Sequence, residues 1–138
     1  MDKERGQSLV ELAVSFVFIM FLLAGAVEFG LAFYQFTQLR DAAQEGALYG
    51  SMCPDHLLEI ESRARNSSSS PLDLNSSDVQ VEISLTRNGT PVASGQPEDA
   101  LEVSLIYIHK IFMPFFTGRE IVLRGVVVDT VLTEDNCD

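Results

Sequence analysis

The chain has 138 residues, enough for one small domain with an appendage, and it combines a positive mean hydropathy of +0.16 with a net charge of −11. Beyond Phe36 it carries seven basic residues against sixteen acidic ones, hence a charge of −9, and no cluster of Lys or Arg occurs anywhere in the sequence. This balance argues against nucleic acid as a partner, because recognition of phosphates needs basic surface stripes.

The first predicted element is a long apolar helix. Leu12–Val27 contains no charge, and within Leu9–Phe36 only Glu11 and Glu28 are charged. Because ~20 helical residues at ~1.5 Å each cross the hydrocarbon core of a bilayer, the segment is predicted to span a membrane. A cleaved secretory signal is an alternative, although the helical pattern continues past the small residues of Ala24–Ala26. A buried helix of a soluble protein is the other.

Charge and cysteine placement indicate the orientation of this helix. Lys3 and Arg5 lie on the short N-terminal flank, which favours a cytoplasmic N-terminus and places the acidic remainder outside the cytoplasmic membrane. There, Cys53 and Cys137 are predicted to form a disulfide that ties the C-terminal tail to the top of the long helix. Two independent thiols are the alternative.

The helix is predicted to continue beyond the membrane, from about Ser8 to about Gly50, with no proline before Pro54. Small residues recur at every fourth position, at Ala42, Gly46 and Gly50, and such a row lets another backbone approach closely. The approaching backbone belongs either to another subunit or to the protein's own domain. Apolar residues recur at spacings of three and four, as on one helical face: Phe36, Leu39, Ala43 and Ala47.

A second, short helix is predicted over Pro54–Arg65. Proline suits a first-turn position, and the acidic residues come early and the arginines late, as the helix dipole favours. Asn66–Pro71 is predicted to be a loop because it is rich in serine. The residues predicted to form the apolar face of the helix are Leu57, Leu58, Ile60 and Ala64.

The rest of the chain is typical of strands. Val79–Thr86 alternates apolar and polar residues, Arg87–Pro91 is a turn centred on Asn-Gly, and Leu101–Ile108 begins as a second alternating strand. Pro114–Gly118 is predicted to be a loop and Ile121–Leu132 a third strand. The predicted fold class is therefore α+β, with a roughly three-stranded antiparallel sheet covered by the distal half of the long helix and by the short one.

No residue pattern indicates catalysis. His56 and His109 are far apart in the sequence, and no spacing of His, Cys and Asp matches a metal site. No glycine-rich phosphate loop is present, and Ser68–Ser70 lacks a nucleophile motif. His109 and Lys110 are expected at a solvent edge. We therefore expect no enzymatic activity, no metal and no cofactor.

The sequence Gly-x-x-x-x-Glu directly before the apolar helix resembles the cleavage site of type IV prepilins and pseudopilins. The resemblance implies that a membrane aspartyl protease cuts between Gly6 and Gln7 and that Glu11 becomes the fifth mature residue. In an assembled filament this carboxylate can pair with the new N-terminal amine of a neighbouring subunit. Such a partner matters because a carboxylate near the hydrocarbon edge costs a few kcal/mol.

A more specific resemblance covers most of the chain. Five segments carry it: Gly6–Ala13, Glu28–Tyr34, Ala42–Gly50, Leu101–Tyr107 and Ile111–Pro114. They are similar to the TadE-like family, which comprises pseudopilins of the tight-adherence (Tad, Flp) apparatus, a type IVb pilus system. Glu11 is followed by Leu12, whereas the pilins of this system tend to have Glu-Tyr at this point.

The resemblance implies three segments: a leader (1–6), an anchor helix (7–50) and an extracytoplasmic α+β domain with a pilin-like architecture (51–138). It implies a non-catalytic minor pseudopilin that helps to build a thin pilus used in adhesion, colonisation and biofilm formation. The implied partners are the cytoplasmic membrane, a prepilin peptidase, other pseudopilins, the major pilin and the inner-membrane platform. One alternative is an uncleaved, single-pass envelope protein whose acidic domain binds a partner. The other is a membrane-bound enzyme, which no residues support.

Overall fold

The computed structural model describes residues 3–112, 118–133 and 137, with side chains from Gly6 onward. The predicted α+β class is confirmed: a long helix, a short helix and one antiparallel sheet. The predicted loop Pro114–Gly118 lies outside the described residues except for Gly118. The elements are α1 (Lys3–Gly50), α2 (Leu57–Asn66), β1 (Val79–Arg87), β2 (Thr90–Pro91), β3 (Ala100–Lys110) and β4 (Glu120–Thr130).

α1 is a single unbroken helix of 48 residues, which corresponds to ~72 Å at ~1.5 Å per residue. It begins at Lys3, before the start predicted near Ser8, and it ends at Gly50 as predicted. No proline interrupts it, so every backbone hydrogen bond of the helix interior can form. Its length is about twice the thickness of a hydrocarbon core.

The sheet has four strands in the order β2-β1-β3-β4, one more than the sequence predicted. The predicted turn contains the additional strand, because only Asn88 and Gly89 turn, with φ of 51° and 78°, and Thr90 and Pro91 already pair with β1. Proline is tolerated there because β2 is an edge strand, where a missing N–H leaves no central ladder bond unmade.

The core lies between the sheet and the distal part of α1. Odd-numbered residues of β1, β3 and β4 face the helices, as shown by the pairs Leu85↔Leu101 and Val103↔Val127. α1 contributes Leu39, Ala43 and Ala47, all fully buried, and α2 packs against α1. The predicted cover over the apolar face of the sheet is thus present.

α1 crosses β4 at very close range. A Cβ atom added to Gly125 would lie 2.5 Å from the backbone nitrogen of Arg40 and 2.5 Å from the carbonyl carbon of Leu39. Any side chain at position 125 would therefore push the helix off the strand, since real Cβ atoms do not approach backbone so closely. Gly125 pairs with Leu105 in the middle of the sheet, so the crossing lies at the centre of the core.

α2 differs from its prediction in start and in buried face. It begins at Leu57, because Pro54 lies in the turn that follows α1 rather than in the first helical turn. Ile60 and Ala64, four residues apart, are fully buried against α1, whereas Leu58 is 85% exposed. At ~100° per residue Leu58 points ~200° away from Ile60, so it cannot share a narrow contact stripe. Leu57 is also exposed.

An ion pair closes the end of the sheet that is distant from the N-terminal half of α1. The Nε and Nη2 atoms of Arg87 donate to the two carboxylate oxygens of Asp99, each at 2.7 Å, and the backbone N–H of Gln96 donates to Asp99 at 2.8 Å. The side chain of Asp99 is buried. The hydrogen bond from Arg87, more than any other contact, lowers the pKa of Asp99 below its ordinary value of 3.8.

Candidate functional site

The most conspicuous surface is the first part of α1. Every residue from Gly6 to Leu23 is exposed, and we call this part the bare segment. The most apolar window of 18 residues in α1 has a mean hydropathy of 2.4 and none of it is buried; α1 is the one helix of the described protein that is long and apolar enough to cross a membrane. A contiguous apolar surface of this size indicates contact with a membrane or with another protein.

The predicted processing and assembly residues all lie on the bare segment. Gly6, Gln7 and Glu11 are exposed residues of one continuous helix, and the folded domain packs only against the distal part of α1. The carboxylate of Glu11 is therefore presented on a surface that the described domain leaves uncovered. Cleavage after Gly6 and pairing of Glu11 with an amine remain predictions.

The row of small residues lies at the opposite end of α1, and the protein's own domain covers it. Ala42, Gly46 and Gly50 are buried. A Cβ atom on Gly46 would lie 3.2 Å from the Cβ of Ala64 in α2 and 3.3 Å from Val103 in β3. Of the two partners considered for this row, the structure shows the intramolecular one.

The junction between the bare segment and the sheet contains a polar cluster. His109, near the end of β3, lies between two side chains of α1: its Nδ1 is 2.7 Å from Gln35 Oε1 and its Nε2 is 3.0 Å from Glu28 Oε1. The backbone N–H of Phe112 also donates to Glu28 Oε1, at 3.0 Å. These bonds hold the end of β3 against the turn of α1 that contains Glu28.

The expected position of His109 was wrong. Only 6% of His109 is exposed, because its ring points inward toward α1, whereas the next residue, Lys110, points outward and is exposed. Successive side chains of a strand point to opposite faces of the sheet, so His109 and Lys110 do not share one solvent edge as expected. Glu28, to which the sequence assigned no role, is the carboxylate that His109 contacts.

An apolar depression of about 270 Å³ opens beside this cluster. Apart from Glu28 and His109, the side chains around it carry no nucleophile or titratable group; the others are Gly25, Phe29, Ala32, Ile111 and Ile121. Among the residues that the structure describes, no group of three His, Cys, Asp or Glu side chains could hold a metal ion. The arrangement is suited to packing.

At the far end of α1 the structure joins Cys53 to Cys137, with 5.7 Å between their Cα atoms and 84 positions between them in the sequence. The backbone N–H of Leu132 donates to the carbonyl of Ser51 at 2.8 Å and supports the same connection. The end of the chain therefore lies against the top of the long helix.

Two features of the site had only partial signals in the sequence. Glu28 interrupts an apolar helix, and such a carboxylate usually has a partner, but nothing in the sequence identified a histidine 81 positions away. Gly125 lies inside a strand rich in β-branched residues, where glycine often marks a close approach of another backbone. Which backbone approaches is decided by the fold.

The fold and the bare segment together define a class of protein: a small α+β domain carried on one apolar helix suited to membrane anchoring. The family described as TadE-like protein matches residues 6–48, which confirms the predicted resemblance over the bare segment, Glu28 and most of the distal helix. The match covers 43 of the 138 residues, all of them in α1. Searches of curated proteins and of solved structures found no significant match.

Proposed function

We propose that the protein is a non-catalytic minor pseudopilin of the Tad (Flp, type IVb) pilus apparatus, which helps to assemble the pilus by helix packing. The observation that carries the proposal is the bare segment, an apolar helical surface with the exposed carboxylate Glu11 near its start. The described domain does not cover this surface. A membrane covers it before assembly, and other subunits cover it afterwards.

The proposal assigns a separate task to each segment of the chain. Residues 1–6 form a leader that a prepilin peptidase removes between Gly6 and Gln7, and residues 7–50 form the anchor and packing helix. Residues 51–138 form a domain outside the cytoplasmic membrane. In the pilus, Glu11 pairs with the N-terminal amine of a neighbouring subunit, so that two charges neutralise each other inside an apolar bundle. Other pseudopilins, the major pilin and the inner-membrane platform are the assembly partners.

The first test is the mature N-terminus. Intact-mass analysis of the protein, extracted from membranes of cells with and without the prepilin peptidase, should give a chain that begins at Gln7 only when the peptidase is present. A chain that keeps Met1 in both strains would contradict processing and would support the uncleaved, membrane-anchored protein instead.

The second part of the test is Glu11→Ala. The variant should reach the membrane in normal amounts but should be lost from sheared pili or should reduce piliation at least about tenfold, because the amine of the neighbour stays unpaired. Glu45→Ala, which removes an exposed carboxylate from the distal part of the same helix, is the matched control and should assemble normally. Equal assembly of both variants would refute the proposed role of Glu11.

A further inference from the structure

The end of the β3–β4 hairpin carries exposed apolar side chains that the proposed function does not use. Phe112 is 87% exposed, Val122 65%, Ile108 45% and Ile121 44%. We call these four residues the hairpin rim. Ile108 and Val122 pair on the face of the sheet turned away from α1, and Ile121 lies on the opposite face beside His109, so apolar side chains are present on both faces of this end of the sheet.

The hydrogen bonds at the junction fix the height of the rim along α1. Glu28 accepts the N–H of Phe112 and contacts the ring of His109, so the rim lies beside the helical turn that contains Glu28. From Leu9 to Glu28 the helix has 20 residues, which at ~1.5 Å each span ~30 Å, the thickness of a hydrocarbon core. If the bare segment crosses the membrane, the rim stands at the outer boundary of the hydrocarbon.

The outward surface of α1 stays apolar above this height. Phe29 is 73% exposed, Phe33 58% and Tyr34 56%, all within two turns beyond Glu28. Aromatic side chains of this kind are enriched where a membrane helix passes through the headgroup layer. Along α1, the rim therefore lies no farther from the bare segment than these aromatic side chains, which are themselves suited to the membrane interface.

The charges next to the rim are also suited to a lipid surface. Lys110 and Arg119 are exposed and flank the rim, and one exposed carboxylate, Glu120, stands opposite Lys110 in the β3–β4 ladder. No ion pair joins either side chain to a carboxylate among the residues that the structure describes, whereas Arg65 and Arg87 each pair with one carboxylate and Arg124 pairs with two. In a domain with a large excess of acidic residues, the two cations next to the rim can reach anionic headgroups while their stems lie along apolar surface.

We propose that the hairpin rim inserts into the interface of the same membrane that α1 crosses, with Lys110 and Arg119 at the anionic headgroups. The subunit is then held in the membrane at two places, and Glu28 and His109 set the fixed distance between them. The inference rests on the proposed membrane span of the bare segment. The rim contacts the lipid interface rather than another protein, because the rim and the neighbouring turns of α1 present apolar side chains at the same height.

The absence of tryptophan from the chain allows a direct test. Three full-length variants, each with one tryptophan, are reconstituted in vesicles of phosphatidylcholine and phosphatidylglycerol: Phe112→Trp in the rim, Val14→Trp in the bare segment and Leu58→Trp on the exposed side of α2. Lipids brominated on their acyl chains quench tryptophan that lies in the membrane. We expect strong quenching at position 14, only background quenching at position 58, and quenching at position 112 at least about twofold above that background.

The three positions separate the failure of this inference from the failure of the proposed anchor. Quenching at position 14, with position 112 behaving like position 58, would overturn the insertion of the rim and leave the membrane span intact. No quenching at position 14 would overturn both. A blue-shifted emission at position 112 that bromine does not quench and that disappears on dilution with lipid would show a contact between subunits, and it would also overturn the inference.

Discussion

The two parts of α1 differ completely in what surrounds them, although they form one helix. On the bare segment (Gly6–Leu23) every residue is exposed and apolar residues point in all directions. On the distal part, Phe36–Gly50, a single face is buried, and its small residues let α2 and the sheet approach closely. Even the buried polar residue there, Gln38, exchanges two hydrogen bonds with the backbone of Leu72, at 2.7 and 3.0 Å.

This difference shows how one helix can serve two purposes. The distal part has a single apolar face, which the domain of the same chain buries, so this part of the helix folds with the domain. The bare segment has apolar side chains on all sides, so this surface can be buried only by contacts outside the described domain. The cluster of Glu28, Gln35 and His109 lies where one pattern gives way to the other, and it fixes the height of the domain on the helix.

The largest difference is expected when the same substitution is made where the domain packs on α1 and where α1 is open. Gly125→Ala inserts a methyl group where the backbone of α1 crosses β4, and we expect the domain to lose about 2–3 kcal/mol of unfolding free energy. Gly30→Ala, on an open part of α1 with nothing within 4 Å of the added methyl, should not lower it and can raise it by up to about 1 kcal/mol, because alanine is the better helix former.

Urea unfolding in detergent, followed by the fluorescence of Tyr49 and Tyr107 at the core, measures both variants. Equal effects of the two substitutions would mean that α1 does not press against β4 in solution.

A smaller effect is expected at the border between the two regions. Glu28→Ala removes the acceptor for the buried ring of His109 and for the exposed N–H of Phe112, and a buried ring nitrogen left unpaired costs about 1–3 kcal/mol. Amide hydrogen exchange at positions 109–112 should accelerate while the distal end of the sheet stays protected. Glu45→Ala, also on α1 but exposed, is the control and should leave exchange unchanged. Acceleration throughout the sheet would indicate a general loss of stability and would contradict a local role.

The smallest effect concerns acid and the end of the sheet that is distant from the bare segment. The lowered pKa of Asp99 means that its pair with Arg87 stabilises the domain above the ordinary pKa of 3.8, and that this contribution disappears as the pH falls through the lower pKa of the folded protein. Asp99→Asn should therefore be less stable than the wild type at pH 7, with a gap that narrows steadily below about pH 4.

Unfolding curves at a series of pH values measure this gap, and Asp41→Asn, an exposed position on α1, serves as the control. A gap that is constant with pH would show that the substitution acts through packing instead.

Much of this architecture could be predicted because it depends on local patterns. The absence of charge over Leu12–Val27 predicted the exposed helix, and strict alternation in Val79–Thr86 predicted β1. Asn88 and Gly89 predicted the tight turn because these residue types tolerate positive φ, and both adopt it in the structure. Periodicity and turn chemistry are properties of neighbouring residues, so they need no knowledge of the fold.

The tertiary structure decided the rest, because it depends on which distant residues meet. It placed the row of Ala42, Gly46 and Gly50 against the protein's own α2 and β3, a question that the sequence left open. It left Leu58 on the surface and turned His109 inward to Glu28, since burial depends on the direction in which one element lies on another. The sequence by itself thus determined that the chain combines a long apolar helix with a small α+β fold. Packing over long sequence separations determined the height and angle at which the two are joined.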